Sequence, residues 1–209
     1  MGRIFLLSPA NCGGRRAIQV VSEAADFPLA RQLRSPEGAS LGEVFSFVSG
    51  LYFRGKLAYA RRFSRPPDPA DPLGAGGVLV ITPNAGLRGA DVAVTCDSIR
   101  AFAAEPIDLA NPRYRQPLEQ GAARLLESIG PECDVVLLGS VASDKYVDVL
   151  QPIFGERLLF PSSFVGRGDM SRGGLMLRCV TSGEELGYAP VAGAVRRGQR
   201  PPRLDPILR

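Results

Sequence analysis

The sequence contains no histidine and no tryptophan in 209 residues. Without histidine there is no Ser-His-Asp or Cys-His device, and the commonest general base near neutral pH is missing. Catalysis by this chain has to run on carboxylates, tyrosine, lysine, serine, cysteine, arginine or a bound ion. Zinc loses its usual nitrogen ligand, and Cys12, Cys96, Cys133 and Cys179 show no Cys-x-x-Cys spacing from which a site is readily built. They are expected to be buried, reduced thiols. Lysine is scarce too: of 25 basic residues only Lys56 and Lys145 are lysines. Arginine is the better fork for phosphate and carboxylate, but an arginine bias also follows from GC-rich coding, so it points only weakly to nucleic acid. Long apolar runs are missing as well. No stretch approaches the ~18–20 residues needed to span a bilayer, and the short run in "MGRIFLLSPANCGG" reads as a buried first strand rather than a signal peptide. The expectation is a soluble, cytoplasmic protein with no membrane contact.

What is present is ordinary globular material: 45% hydrophobic and 22% charged residues, with a net charge of +4. That suits one domain over residues 1–195, followed by an arginine- and proline-rich tail over 196–209 that is expected to be exposed and partly disordered. Short apolar runs at 3–8, 78–82, 134–140 and 157–161 read as core strands. Residues 14–35 hold one or two short helices, and 115–130 and about 143–155 read as helices. Residues 90–102 fit a strand or a short helix. Between Ser40 and Arg62 the apolar residues recur at helical spacing. Ser40 and Glu43 have the form of a capping box, and Gly50 and Gly55 weaken the middle of this helix, with a break expected near 50–55. The stretch 64–77 is a Pro/Gly-rich loop. Strands alternating with helices define an α/β fold with a mostly parallel or mixed sheet flanked by helices.

In such sheets ligands collect beyond the carboxyl ends of the strands. That rule selects "SPANCGG" (8–14), "TPNAGLRG" (82–89), "GSVASDKY" (139–146) and "VGRGDMSR" (165–172). Each combines glycine with hydroxyl or charged groups, as an anion site requires. Read alone, any one of them is equally a tight strand-to-helix turn. The expected anion ligands are Ser8, Asn11, Gly13, Lys56, Lys145, Arg167 and Arg172. Asp144, Tyr146 and Ser171 are the candidate acid, base or orienting groups, and Tyr52 and Tyr59 the candidate stacking rings. No cofactor is asked for. An all-oxygen metal site at Asp144 or Asp169 has no residue pattern behind it.

The order of four motifs, "LLSPAN", "FRGKLAY", "LGSVASDKYVDVLQP" and "GRGDMSR", resembles the YaaA family of bacterial peroxide-stress response proteins. The matching positions are Ser8, Pro9 and Ala10; Phe53, Gly55 and Tyr59; Ala142, Ser143 and Tyr146; and Arg167, Gly168, Met170, Ser171 and Arg172. Asn11 stands where the family has lysine, and Lys145 where it has glutamate. The chain also looks shorter before residue 40, where the family's counterpart is associated with a helix-hairpin-helix DNA-binding element. The resemblance implies an α/β core, a positively charged cleft, DNA association and a role in tolerance of oxidative damage. Two functions follow as expectations. One is a basic cleft for nucleic acid or a nucleotide-like anion, acting on a base or glycosidic bond. The other is an enzyme of small-molecule metabolism acting on a free nucleotide, nucleobase or carboxylated metabolite.

Overall fold

The computed structural model of the chain describes residues 2–71, 74–202 and 204. Its centre is a six-stranded sheet. Strand β1 (Gly2–Leu7) pairs in parallel with β3 (Val78–Ile81) on one side and with β6 (Cys133–Leu138) on the other; β6 in turn pairs in parallel with β7 (Leu158–Pro161). Antiparallel strands close both edges: β4 (Leu87–Gly89) on β3, and β8 (Tyr188–Pro190) on β7. A two-residue strand β2 (Ala39–Ser40) pairs with β5 (Ala93–Val94) apart from this sheet. The fold is the expected single α/β domain with a mixed, mostly parallel sheet.

The central strands are apolar on both faces because both faces are covered. Phe5, Leu7, Val80, Val136 and Leu138 face one hydrophobic cluster; Ile4, Leu6, Ile81, Val135 and Leu137 face the other. The first cluster is completed by helices α1 (Arg15–Val20), α2 (Pro28–Arg34), α3 (Leu41–Ser49), α4 (Leu51–Phe63), α5 (Cys96–Ala104) and α8 (Asp169–Ser182). The second is completed by α6 (Pro112–Ile129) and α7 (Asp144–Phe154). The chain therefore leaves β1 towards one face and leaves the adjacent strand β6 towards the other. This is a topological switch point, and it opens a crevice at the carboxyl ends of those two strands. Ser8 and Gly139 flank it: a Cβ on Gly139 would lie 3.3 Å from Ser8 Oγ.

Several local expectations are refined. The helix from residue 41 breaks at Gly50, whose φ of 64° ends α3 and starts α4. Gly55 does not break α4; it lets α8 approach. A Cβ on Gly55 would lie 2.7 Å from the Gly173 carbonyl, and one on Gly173 would lie 2.8 Å from the Leu51 carbonyl. The Ser40 capping box does not form, because Ser40 Oγ donates instead to the Ala90 carbonyl at 3.0 Å. The box that does form is Thr95 with Ser98, at the start of α5. Part of the 64–77 loop is pinned, since Arg65 exchanges two backbone hydrogen bonds with Arg3 at the edge of β1. The tail, over its described residues, has no regular structure but lies on the loop before α8. Arg167 Nη1 donates to the Pro202 carbonyl at 3.4 Å, and Gly166, at φ 73°, packs directly against the Gln199 carbonyl. Residues 203 and 205–209 of the tail lie outside the described residues. All four cysteines are buried and free, as expected.

Candidate functional site

The α4–α8 crossing carries polar side chains to the end of β1. Lys56, one position after Gly55, retains 1% of its surface. Its Nζ donates to the Ser8 carbonyl at 2.5 Å and to Ser8 Oγ at 2.9 Å. It lies 4.6 Å from the centroid of the Tyr52 ring and 4.8 Å from that of Phe53, so aromatic faces supply part of the solvation the ammonium has lost. Burial still dominates. It lowers the Lys56 pKa to about 7, with Asp169 opposing the shift and Arg172 adding to it. A sizeable fraction of Lys56 is therefore a neutral amine at physiological pH, in a chain that has no imidazole for that role.

Tyr52 sits one helical turn before Lys56 and is 8% exposed. Its hydroxyl is enclosed and makes no hydrogen bond of good geometry. Burial pushes its pKa up to about 12, although the Arg172 guanidinium is near enough to favour the ionised form. Tyr146, in the first turn of α7, is also pushed up to about 12, by burial first and then by the negative potentials of Tyr52 and Asp169. Both phenols are thus protonated donors near neutral pH. Arg172 is buried; its Nε and Nη2 donate to the Phe164 carbonyl at 3.2 and 3.0 Å, and its Nη1 lies 3.8 Å from Asp169 Oδ1. Ser8, Tyr52, Lys56, Tyr146, Asp169 and Arg172, drawn from β1, α4, α7 and α8, form one electrostatically coupled cluster.

Tyr146 also lines a cleft of about 390 Å³, together with residues 9–13, Pro83, parts of 102–107 and Lys145. That volume lies within the ordinary range of small-ligand sites. Its walls mix apolar groups (Phe102, Pro106, Ile107) with the exposed residues Asn11, Gly13 and Lys145. Asn11 shapes the loop itself, its Oδ1 accepting from the Gly13 amide at 3.0 Å. The Lys145 carbonyl accepts from the Tyr114 hydroxyl at 2.8 Å, which fixes the backbone while the side chain stays exposed.

Other expected site residues fall elsewhere. Tyr59 is fully buried, with its hydroxyl 2.6 Å from that of Tyr188 and accepting from the Leu186 amide at 2.8 Å; it has no ring face for a ligand and belongs to the core. Asp144 is largely exposed and lies 3.6 Å from Arg196 of the tail, outside the Lys56 cluster. Arg167 and Ser171 bind each other at 3.2 Å, and Arg167 also holds the Ser163 carbonyl at 3.1 Å, so this arginine braces its loop and the tail. The "TPNAGLRG" segment is a hairpin turn closed by Thr82 Oγ1 on the Gly86 carbonyl at 2.8 Å; only Pro83 reaches the cleft. Asp169, not Asp144, is the carboxylate beside Lys56 and Arg172. Its position at the start of a helix meeting the "FRGK" helix through paired glycines was the available signal.

Among the described residues, no group of three or more cysteine, aspartate or glutamate side chains is placed to hold a metal ion, and no helix is long and apolar enough to cross a membrane. No family model, curated protein or solved structure matches this chain.

Proposed function

We propose that the chain is an enzyme-type binding protein for a small nucleotide-like anion. The 390 Å³ cleft receives the ligand and the Lys56 cluster does chemistry on its base or an attached group. The observation that carries this reading is Lys56: a fully buried amine, held on Ser8 and flanked by Tyr52 and Arg172, is expensive to place inside a fold for structure alone. The cleft's apolar walls suit a flat ring, and Lys145 at its edge suits a phosphate or carboxylate. The kinship with the peroxide-stress proteins belongs to this proposal. Its support is that Ser8, Lys56, Tyr146 and Arg172, one residue from each of four separated motifs, belong to one cluster.

A second reading, a single nucleic-acid strand, is favoured by a larger open groove of about 970 Å³ lined by Arg16, Arg54, Phe47 and Met170. Met170 is 67% exposed and adjoins Asp169, so a strand lying there would reach the cluster.

Thermal unfolding with nucleobases, mononucleotides, small carboxylates and short single-stranded oligonucleotides separates these readings. Lys145→Ala, which alters an exposed side chain, is the companion variant. Under the first reading a mononucleotide at 100 times its Kd adds ~2.7 kcal/mol to wild type, and the variant unfolds normally but loses most of that gain. Stabilisation by oligonucleotides alone, falling steeply with salt, selects the second. A response to none of these probes sinks both.

A further inference from the structure

The hydrogen bond between Ser8 and Lys56 has the geometry of a nucleophile and its base. We infer that Ser8 Oγ is the attacking atom of this site and that Lys56 Nζ is its general base, acting on a carbonyl carbon of an amide, ester or ring lactam. This deepens the proposed function, naming a reaction class for the same cluster, and it rests on substrate reaching the cleft.

Three observations carry it. Ser8 Oγ lies 2.9 Å from Nζ, within proton-transfer reach, while its own bond to the Leu138 carbonyl is long at 3.4 Å, which leaves the hydroxyl proton free to turn towards a neutral amine. The Lys56 amine is in turn fixed by the Ser8 carbonyl at 2.5 Å, the third-group orientation that such pairs need. Beside Oγ, residue 139 is glycine; a methyl group there would lie 3.0 Å from Ser8 Cβ and 3.3 Å from Oγ, so any side chain at 139 would crowd the hydroxyl. The Tyr52 hydroxyl supplies an independent pointer to a ligand. It is more than nine-tenths buried and protonated; its polar neighbour is the Arg172 guanidinium, itself a donor, so its proton lacks an acceptor of the kind an oxyanion provides.

In the reaction, the Ser8 Oγ–carbon bond forms as the serine proton passes to Lys56. The carbonyl oxygen takes the negative charge against the Tyr52 hydroxyl and the Arg172 guanidinium. The bond from carbon to the leaving amine or alkoxide then breaks, and Lys56 returns its proton to that group. Water, deprotonated by the same amine, hydrolyses the seryl ester and restores both residues. Lysine fills the place of histidine in a chain that has none.

Methanesulfonyl fluoride is a small probe of this pair: the serine oxygen bonds to sulfur, the sulfur–fluorine bond breaks, and the proton goes to Lys56. Peptide mapping after exposure is expected to find one adduct on Ser8, with a labelling rate that rises as pH passes through about 7. Ser8→Ala, checked for folding by its unfolding transition, loses the adduct. Lys56→Met, if folded, slows it by about 100-fold or more; where it does not fold, the pH profile of wild type carries the test. An adduct on Lys56 or Tyr52 instead of Ser8, no adduct, or a rate flat between pH 6 and 9 overturns the assignment. Mononucleotide stabilisation is measured on the same samples. If it persists without a Ser8 adduct, the nucleophile assignment falls and the proposed binding function stands.

Discussion

Tyr52 shows how a single side chain separates stability from function in this protein. Its ring is needed twice, as core surface and as the aromatic face 4.6 Å from the Lys56 amine, whereas its hydroxyl is buried beside the Arg172 guanidinium with no acceptor for its proton. An enclosed hydroxyl without a partner costs about 1–3 kcal/mol of desolvation that folding does not recover. Tyr52→Phe keeps the ring and removes that cost. The melting temperature should therefore stay level or rise by several degrees, at roughly 2–4 °C per kcal/mol for a chain of this length. Affinity for the anion found by thermal screening should fall about tenfold, the equivalent of one lost hydrogen bond near 1.4 kcal/mol. A lower melting temperature with unchanged affinity would show that the hydroxyl serves the fold.

At the scale of elements, the α4–α8 crossing decides whether the cluster exists. Gly55→Ala is the sharp test, because two effects of opposite sign meet there. Alanine improves helix propensity by about 1 kcal/mol, yet its methyl group would fall 2.7 Å from the Gly173 carbonyl, a backbone atom that cannot swing aside. Overpacking of this kind costs about 1–3 kcal/mol and is relieved by moving the helices apart. The expected variant is folded and less stable by a few degrees, and it has lost ligand-induced stabilisation because Arg172 and Asp169 have moved away from Lys56 and Tyr52. Unchanged melting and binding would mean that the two helices do not cross this closely. Much of the fold that frames this crossing was legible beforehand. The strands over 3–8, 78–82, 134–140 and 157–161 announce themselves as apolar runs because both their faces are covered, and the α3–α4 break was marked by Gly50. The edge strand Tyr188–Pro190 carried no such signal, since it is only three residues long and pairs on one side. At the site, Ser8, Lys56, Tyr146 and Arg172 were visible as chemistry-bearing residues. Their grouping was not, because it depends on two glycines whose role reads locally as helix weakening. Asp169 lies beside the cluster because its helix is the one that crosses α4, which a helix start read by itself does not reveal.

For the whole molecule, the burial that builds the site also sets how stability responds to pH. The Lys56 pKa falls from 10.5 to about 7 on folding. Between those values the unfolded chain holds a proton that the folded chain does not, so stability rises with pH, by at most about 1.4 kcal/mol per pH unit for one proton. The thiols and phenols act in the opposite direction. Burial raises Cys12 from 9.0 to about 12, Cys133 from 9.0 to about 11, and Tyr52, Tyr59 and Tyr146 from 10.0 to about 12. Above about pH 9 the unfolded chain therefore releases protons that the folded chain keeps, and stability declines. The two trends together place a maximum near pH 9, above the range usual for globular proteins. Lys56→Met removes only the rising limb. Exchanging a buried amine for an apolar side chain of similar length is often neutral or stabilising, so at pH 6, where Lys56 is mostly charged, the variant should be the more stable protein. It loses that advantage as pH rises towards 9 and shares the decline beyond. Urea unfolding of both proteins at half-unit steps from pH 6 to 10 reads this directly. Parallel profiles between pH 7 and 9 would show that Lys56 remains a fully charged ammonium in the folded protein, and the general-base role would be lost with the slope.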